Sequence, residues 1–286
     1  MTGPSIAGAV RAAAERLRGA GDTPGLDARL LARAAFGLDA SGLILRGGEA
    51  AEPAALQRFE ALVERRAGGE PVHRILGRRG FHDHEFELSP ETLEPRPDTE
   101  ILVELAAKAI RAGGKPDVLF ADLGTGSGAI AVSLLALFPQ STAIAVDLCE
   151  GALVTARRNA ERAGVAERFH AVAGDMLEGI DAPLDMVVSN PPYIPTAEIE
   201  SLSPDVRRYD PMLALDGGAD GLDAYRSIAK HLSRHRNGIP DVLLEIGAGQ
   251  GADVGAIFAA SGYDLFERAD DLSGHMRALW FKPHDR

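Results

Sequence analysis

Apolar residues recur every three or four positions through the first 75 residues, in stretches rich in Ala, Leu and Arg that break at Gly21-Asp22-Thr23-Pro24 and Gly47-Gly48. That spacing puts an apolar stripe on each of several short helices and predicts them at about 4–18, 24–36, 38–45 and 52–67. From 72 to 97 the pattern becomes short alternating stretches (HRILGRRGFHDHEFELS) followed by Pro90, Pro95 and Pro97, which predicts a hairpin and a stiff linker. Beyond it, buried-strand runs alternate with amphipathic ones. Strands are predicted at 117–123, 143–148, 169–173, 185–189, 241–246, 262–267 and 275–282, and helices near 98–112, 128–137, 150–163, 221–236 and 250–260. Seven strands with intervening helices make a doubly wound α/β sheet. In such a sheet the ligand sits outside the carboxyl ends of the strands, where the strand order reverses, so the loops after strands are the ones to read. The expected organisation is a helical domain over 1–75, a hairpin and linker over 76–97, and a sheet domain over 98–286.

Composition narrows the class. The 286 residues are 45% hydrophobic and 25% charged, the mix of a globular protein rather than a disordered or fibrous one. The single cysteine, Cys149, excludes a disulfide framework and a CxxC metal site. No apolar run reaches membrane-spanning length, and the first residues (MTGPSIAGAVRAAAERLRGAGD) lack a signal-peptide core, so a cytoplasmic protein is expected. The net charge of −12 is uneven: residues 1–80 hold 12 Arg, no Lys and 9 acidic residues, a balance of +3, which leaves −15 for the rest. An acidic chain does not suit a general binder of phosphate backbones.

Two strand-end loops carry candidate chemistry. Asp122-Leu123-Gly124-Thr125-Gly126-Ser127-Gly128 closes the first sheet strand and opens a helix, and glycines there let backbone N–H groups approach a ligand. The spacing is GxGxG, a step away from the dinucleotide fingerprint, and it lacks the Lys-Ser/Thr ending of a P-loop. Asp147 ends the next strand, where a carboxylate can take both hydroxyls of a ribose. Together they favour a nucleoside-containing cofactor, although the same residues also suit a plain tight turn and a helix cap. Asp175, in Ala173-Gly174-Asp175-Met176, follows the third strand, where it could meet an adenine amino group while Met176 packs on the ring. A second glycine loop, Gly247-Ala248-Gly249-Gln250-Gly251, has too little chain after it for a nucleotide-binding half and is read as structural.

The most specific feature is Ser189-Asn190-Pro191-Pro192-Tyr193 after the fourth strand. Two prolines stiffen the loop and free its carbonyls to face a ligand. Asn190 adds a side-chain acceptor beside the Pro191 carbonyl, and Tyr193 offers an aromatic wall. Two fixed acceptors suit a planar NH₂ group, whose nitrogen is a poor nucleophile because its lone pair is delocalised. Accepting both N–H protons pushes density back onto nitrogen and stabilises charge developing there as a methyl cation equivalent arrives.

These motifs resemble those of S-adenosylmethionine-dependent methyltransferases acting on planar nitrogens. Glu94-Pro95-Arg96-Pro97-Asp98-Thr99-Glu100, Tyr209-Asp210-Pro211, Ala214-Leu215-Asp216-Gly217-Gly218 and Asp220-Gly221-Leu222-Asp223-Ala224-Tyr225-Arg226 narrow the match, and the chain resembles the release-factor glutamine N5-methyltransferases, the PrmC/HemK family. It differs from the family pattern at Glu94, where an apolar residue is usual, at Phe81-His82-Asp83-His84-Glu85-Phe86, and at Met176, where an aromatic is frequent. The resemblance implies an α/β fold: a seven-stranded Rossmann-like methyltransferase sheet with a small N-terminal helical bundle and a β-hairpin linker. It implies methyl transfer from S-adenosyl-L-methionine, leaving S-adenosyl-L-homocysteine, to the side-chain amide of the Gly-Gly-Gln glutamine of bacterial peptide chain release factors. Gly124, Thr125, Gly126, Ser127 and Gly128 would cradle the methionine end of the cofactor, Asp147 hold its ribose, and Asp175 and Met176 border its adenine. Asn190 and Pro191, stiffened by Pro192, would hold the glutamine amide against Tyr193, with Asn190 also beside the cofactor. The partner would be the release factor, docked by the helical domain, with no membrane, no direct nucleic acid and a monomeric enzyme.

Three rivals share parts of this pattern: a glutamine methyltransferase of a large-subunit ribosomal protein, an N6-adenine or N2-guanine nucleic-acid methyltransferase, and a non-catalytic cofactor-binding module. The N-terminal domain favours the release-factor branch, and the −15 balance disfavours nucleic acid. His82 and His84 are expected to be solvated strand residues rather than metal ligands, and no metal is expected. Arg65-Arg66 and Arg78-Arg79 are expected to be solvated or to meet an acidic partner, and Cys149 to pack at a helix start.

Overall fold

Helix boundaries in the first part of the chain follow capping chemistry. In the computed structural model, which describes residues 3–235, 240–271 and 273–284, the chain begins with α1 (Ile6–Arg16), α2 (Pro24–Phe36), α3 (Ala40–Leu45), α4 (Pro53–Ala67) and α5 (Val72–Leu76). Ser5 Oγ accepts from Gly8 N at 3.1 Å, Asp39 Oδ1 from Gly42 N at 2.6 Å, and the Glu52 carboxylate from Ala54 N and Ala55 N, each supplying an acceptor to otherwise orphaned N–H groups. The hairpin β1 (Arg78–Phe81) and β2 (His84–Glu87) comes next. Then follow α6 (Glu100–Gly113), β3 (Leu119–Leu123), α7 (Ala129–Leu137), β4 (Thr142–Asp147), α8 (Glu150–Arg162), β5 (Phe169–Ala173) and β6 (Met186–Ser189). The chain continues through α9 (Pro204–Tyr209), α10 (Asp223–Leu232), β7 (Asp241–Glu245), α11 (Gly251–Ala260), β8 (Tyr263–Asp270) and β9 (Met276–Pro283).

Two compact units result. The first comprises the residues up to Arg78 together with Ser203–Tyr209, and the second Arg79–Leu202 together with the residues from Asp210 onward. The core of the first is built on Leu17, Leu31, Phe59, Val63, Val72 and Ile75. Within it Arg66, expected to be solvated, is 7% exposed: its Nε donates to Asp27 Oδ2 at 2.6 Å, and Asp27 also accepts from Thr23. Val72–Leu76 departs from the predicted alternating pattern because Val72 and Ile75, three apart, share one buried helical face after Pro71, and Gly77 ends the turn with φ +67°. Helix α9, also unanticipated, belongs to this first unit, where, against the opposing effect of burial, a hydrogen bond from Ser203, then backbone N–H groups at the helix start, and last the Arg66 charge, hold the Asp205 carboxyl below its ordinary range.

In the second unit, Phe81 and Phe86 on the hairpin meet edge to face at 6.0 Å. His82 is not a strand residue as expected: it sits in the connecting turn with φ +51°, its backbone N–H reaches Glu100 Oε1 at 2.9 Å and its Nε2 lies 3.1 Å from Glu104 on α6. Arg79 likewise is not simply solvated, because it pairs with the buried Glu94 carboxylate, which gives the departure from an apolar residue at 94 its reason. The main sheet has the order β5-β4-β3-β6-β7-β9-β8, parallel except that β9 runs antiparallel to both neighbours. This is the seven-stranded sheet the sequence predicts. Alternation along the strands feeds two cores: Leu102, Phe120, Leu134 and Trp280 on one side, and Leu123, Tyr225, Val254, Phe258 and Phe281 on the other. Strand β8 runs three residues past its predicted end because pairing with β9 resumes beyond a bulge. The predicted helix 221–236 is shorter at both ends, running Asp223–Leu232, and Arg236 lies outside the described residues. The strand order reverses between β3 and its neighbours β4 and β6, which places their carboxyl ends at the switch point.

Candidate active site

The glycine loop leaves β3 with φ +66° at Gly124, +54° at Gly126 and +81° at Gly128, a left-handed series that only glycine adopts without strain. A Cβ on Gly128 would also lie 3.2 Å from Ala156 Cβ, so glycine there lets α8 pack closely. Side chains hold the loop in shape. Asp122, fully buried, accepts from Thr125 Oγ1 at 2.7 Å and Ala131 N at 3.2 Å through Oδ2, and burial pushes its carboxyl up to about 7. Asp147 accepts from Gly126 N and Cys149 N, each at 2.8 Å, one through each oxygen. Thr125 N donates to Val146 O at 2.9 Å, Gly174 N to Asp147 O at 3.1 Å, and Asn159 Nδ2 to Ser127 O at 2.9 Å. Gly124, Thr125, Gly126, Ser127, Gly128 and Asp147 are thus brought together. Asp175 and Met176 lie in the loop after β5, both half-buried, and Met176 holds φ +50°, an uncommon backbone state for a non-glycine residue.

The Asn190-Pro191-Pro192-Tyr193 loop is fixed from several sides. Ser189 Oγ donates to Leu123 O at 2.7 Å, joining the ends of β6 and β3. Asn190 Nδ2 donates to Thr99 Oγ1 at 3.2 Å. Gln250 Nε2 donates to Tyr193 O at 2.9 Å and Gly221 O at 3.3 Å, while its Oε1 accepts from Gly247 N at 3.0 Å. The segment after α9 backs the loop: Ile194 N donates to Leu215 O at 3.0 Å and Gly217 N to Ile194 O at 2.9 Å. A Cβ on Gly217 would stand 2.8 Å from Pro192 O, and one on Gly221 would press closer still on Tyr193 O. The glycines at 217 and 221 are therefore the room in which the proline loop lies. Burial raises the Tyr193 phenol above its ordinary value, with the Glu245 carboxylate adding to the shift.

Sequence reasoning missed the supports. Gln250 sits in the glycine loop read as structural, and its work is to clamp Tyr193. Thr99, Glu245 and Arg277 were not singled out individually. Thr99 and Glu245 are both buried, Thr99 accepting from Asn190 Nδ2, and Arg277 pairs with Asp271 at 2.9 Å. Arg96 holds Asp210 at 2.5 Å, joining two of the motif segments directly.

Family models match two stretches: the PrmC N-terminal domain over residues 8–77 and the methyltransferase small domain over 98–202. The chain is 43% identical over 274 residues to the release factor glutamine methyltransferase of Agrobacterium fabrum, covering 95% of each chain. It belongs to the release factor glutamine methyltransferase family. A second member, from Bradyrhizobium diazoefficiens, is 44% identical over 285 residues, covering 98% of this chain and 95% of its own. Among solved structures, a ribosomal protein L11 methylase from Lactobacillus delbrueckii subsp. bulgaricus superposes with a TM-score of 0.51 at 19% identity, over 69% of this chain and 84% of that one. That likeness concerns the methyltransferase fold alone. For a release factor glutamine methyltransferase, the loops gathered at the switch point are the place to look for the reaction.

Proposed function

We propose that this chain methylates the side-chain amide N5 of the glutamine in the Gly-Gly-Gln motif of bacterial peptide chain release factors, with S-adenosyl-L-methionine as methyl donor. The observation that carries the reading is the rigid Asn190-Pro191-Pro192-Tyr193 loop beside the glycine loop at the switch point, in a chain of this family. The local structure fits the donor. A Cβ on Gly124 would meet nothing within 4 Å, so that face of the loop is open, and Asp147 spends only one hydrogen bond per oxygen, leaving lone pairs for ribose hydroxyls. Met176, half-buried in its strained turn, gives an apolar border for adenine opposite Asp175. When bound, the donor supplies an electrophilic methyl group on a cationic sulfur and departs as S-adenosyl-L-homocysteine.

The residues of the chain do the rest. Asn190 Oδ1 and the Pro191 carbonyl accept the two N–H protons of the glutamine amide, turning its lone pair toward the methyl group. Their fixed dipoles stabilise the positive charge that builds on nitrogen as the N–C bond forms, and the surplus proton leaves to water afterwards. No strong base is required. Tyr193 keeps its phenol neutral and forms the wall against which the amide lies flat. The −15 balance of residues 81–286 suits a basic protein loop better than a nucleic acid, whose phosphates it would repel. No helix among the described residues is long and apolar enough to cross a membrane, and we place the enzyme in the cytoplasm as a monomer meeting its substrate there.

The test is transfer of label from S-adenosyl-L-methionine to a release factor, abolished when the Gly-Gly-Gln glutamine is replaced. Label in RNA or DNA, with none in the release factor, would overturn the reading. Asn190→Ala is expected to lose at least 100-fold in kcat, while calorimetric cofactor affinity stays within about threefold.

A further inference from the structure

One buried side chain on α8 is bonded to both the hairpin and the glycine loop. Asn159 is 2% exposed and spends its amide on three main-chain groups. Its Oδ1 accepts from Glu87 N at 2.7 Å, while its Nδ2 donates to Glu87 O at 3.1 Å and to Ser127 O at 2.9 Å. Glu87 closes β2, and Ser127 belongs to the loop that leaves β3. We infer that Asn159 is a positioning residue for the methyl donor, tying the hairpin to the 124–128 loop so that docking of the hairpin and binding of the donor strengthen one another. The inference rests on the reading of that loop as the seat of S-adenosyl-L-methionine.

Donor and acceptor rules leave the amide a single orientation. It faces one main-chain donor and two main-chain acceptors, so turning it over would set its oxygen against two carbonyls and lose every bond. Ser127 is 3% exposed, and its carbonyl gains little from water when Asn159 is gone. The Ser127–Gly128 peptide plane is held from both edges, Ser127 O by Asn159 and Gly128 N by Thr125 O at 2.8 Å. That plane leads into the left-handed Gly128, which packs on Ala156, three residues before Asn159 and on the same face of α8. The hairpin end of the link is anchored as well. Arg158 Nη1 and Arg162 Nη2 reach the Glu87 and Glu85 carboxylates at 3.1 and 3.6 Å, both from the exposed side of α8. Those ion pairs hold the strand at the surface, whereas Asn159 holds strand and loop together from within. Such coupling is reciprocal: the factor by which a docked hairpin improves donor binding is the factor by which bound donor secures the hairpin.

Two measurements on the full chain read the two ends of the link. Calorimetry with S-adenosyl-L-homocysteine reads the loop, and hydrogen exchange of the main-chain amides at 84–87, with and without that ligand at saturation, reads the hairpin. In wild type the ligand is expected to slow exchange at the Glu87 amide about tenfold, the worth of one hydrogen bond. Asn159→Leu, which keeps the approximate shape and deletes the amide, should bind the ligand about tenfold more weakly and abolish the slowing. In steady-state methylation of a release factor its KM for the donor should rise by that factor while kcat stays within about twofold, a split that general damage to the fold would not give. Arg158→Gln removes a surface ion pair from the same strand and should leave ligand affinity within about twofold of wild type. Exchange at 84–87 that ignores bound ligand in wild type, or is slowed equally in Asn159→Leu, would overturn the link, as would an Asn159→Leu protein with wild-type affinity. An Arg158→Gln protein that loses as much affinity as Asn159→Leu would also overturn it. A wild-type chain that binds no S-adenosyl-L-homocysteine would overturn the reading of the loop instead. If Asn159→Leu does not fold, the wild-type exchange decides, since it needs no substitution.

Discussion

Gln250 is the point at which the second glycine loop meets the reacting centre, and Gln250→Glu tests that coupling with the smallest change of shape. The substitution keeps an oxygen to accept from Gly247 N but removes both donors, the bonds at 2.9 Å to Tyr193 O and 3.3 Å to Gly221 O. Each such bond is worth about 0.5–1.5 kcal/mol net, so the loss is about 2 kcal/mol. Gln250 is half-buried, so the new carboxylate turns to water instead of resting against two carbonyl oxygens, and the clamp opens. If Tyr193 loses that much of its anchorage, kcat/KM falls roughly 30-fold, since 1.36 kcal/mol is a factor of ten. The thermal midpoint should drop by roughly 4–8 °C. Single-turnover methylation, a melting curve and cofactor calorimetry on one preparation give all three readings. Cofactor affinity should hold within about threefold, because the glycine loop after β3 is held by Asp122 and Asp147 instead. A variant with wild-type turnover, or one whose cofactor affinity falls as far as its rate, would refute the coupling.

Two further outcomes concern stability. Asp27→Ala leaves Arg66 buried without its partner and should cost the helical unit about 3 kcal/mol in denaturant titration, whereas a change below 1 kcal/mol would show that Arg66 swings out to water. The carboxyls of Asp122 and Glu245 are raised from 3.8 and 4.5 to about 7 by burial, so both bind protons more tightly folded than unfolded. The stability this gives is complete below the unfolded values and lost as pH rises through about 7, so the wild-type melting point should fall between pH 5 and pH 8. Asp122→Asn should narrow that fall; an unchanged difference would show that Asp122 does not titrate there.

The sheet was legible because its central strands β3, β4, β6 and β7 are short, largely apolar, buried runs bounded by loop residues, and the switch point followed from the order of elements. The glycine loop and the proline loop were legible because their chemistry is local. What escaped was everything whose partner lies far along the chain. Arg66 reads as one more surface arginine until Asp27, 39 residues earlier, is found beside it. Gln250 has no visible task until the chain returns it to Tyr193, 57 residues away, and Thr99 none until it meets Asn190, 91 residues on. Helix α5 was hidden by an alternation of charge that mimics a strand, although its two buried positions are three apart.

The seven residues Ser203–Tyr209 belong to the helical unit while lying in the middle of the sheet-bearing part of the chain. Protein synthesis runs from one end, so the helical unit lacks part of itself when Arg78 leaves the ribosome and is completed only after Tyr209 emerges, on the order of ten seconds later at about 5–20 residues per second. By then β3, β4, β5 and β6 have also been made. Assembly of the two units is thereby interleaved in time, and a fragment ending at Arg78 lacks one of the helices that the intact unit contains.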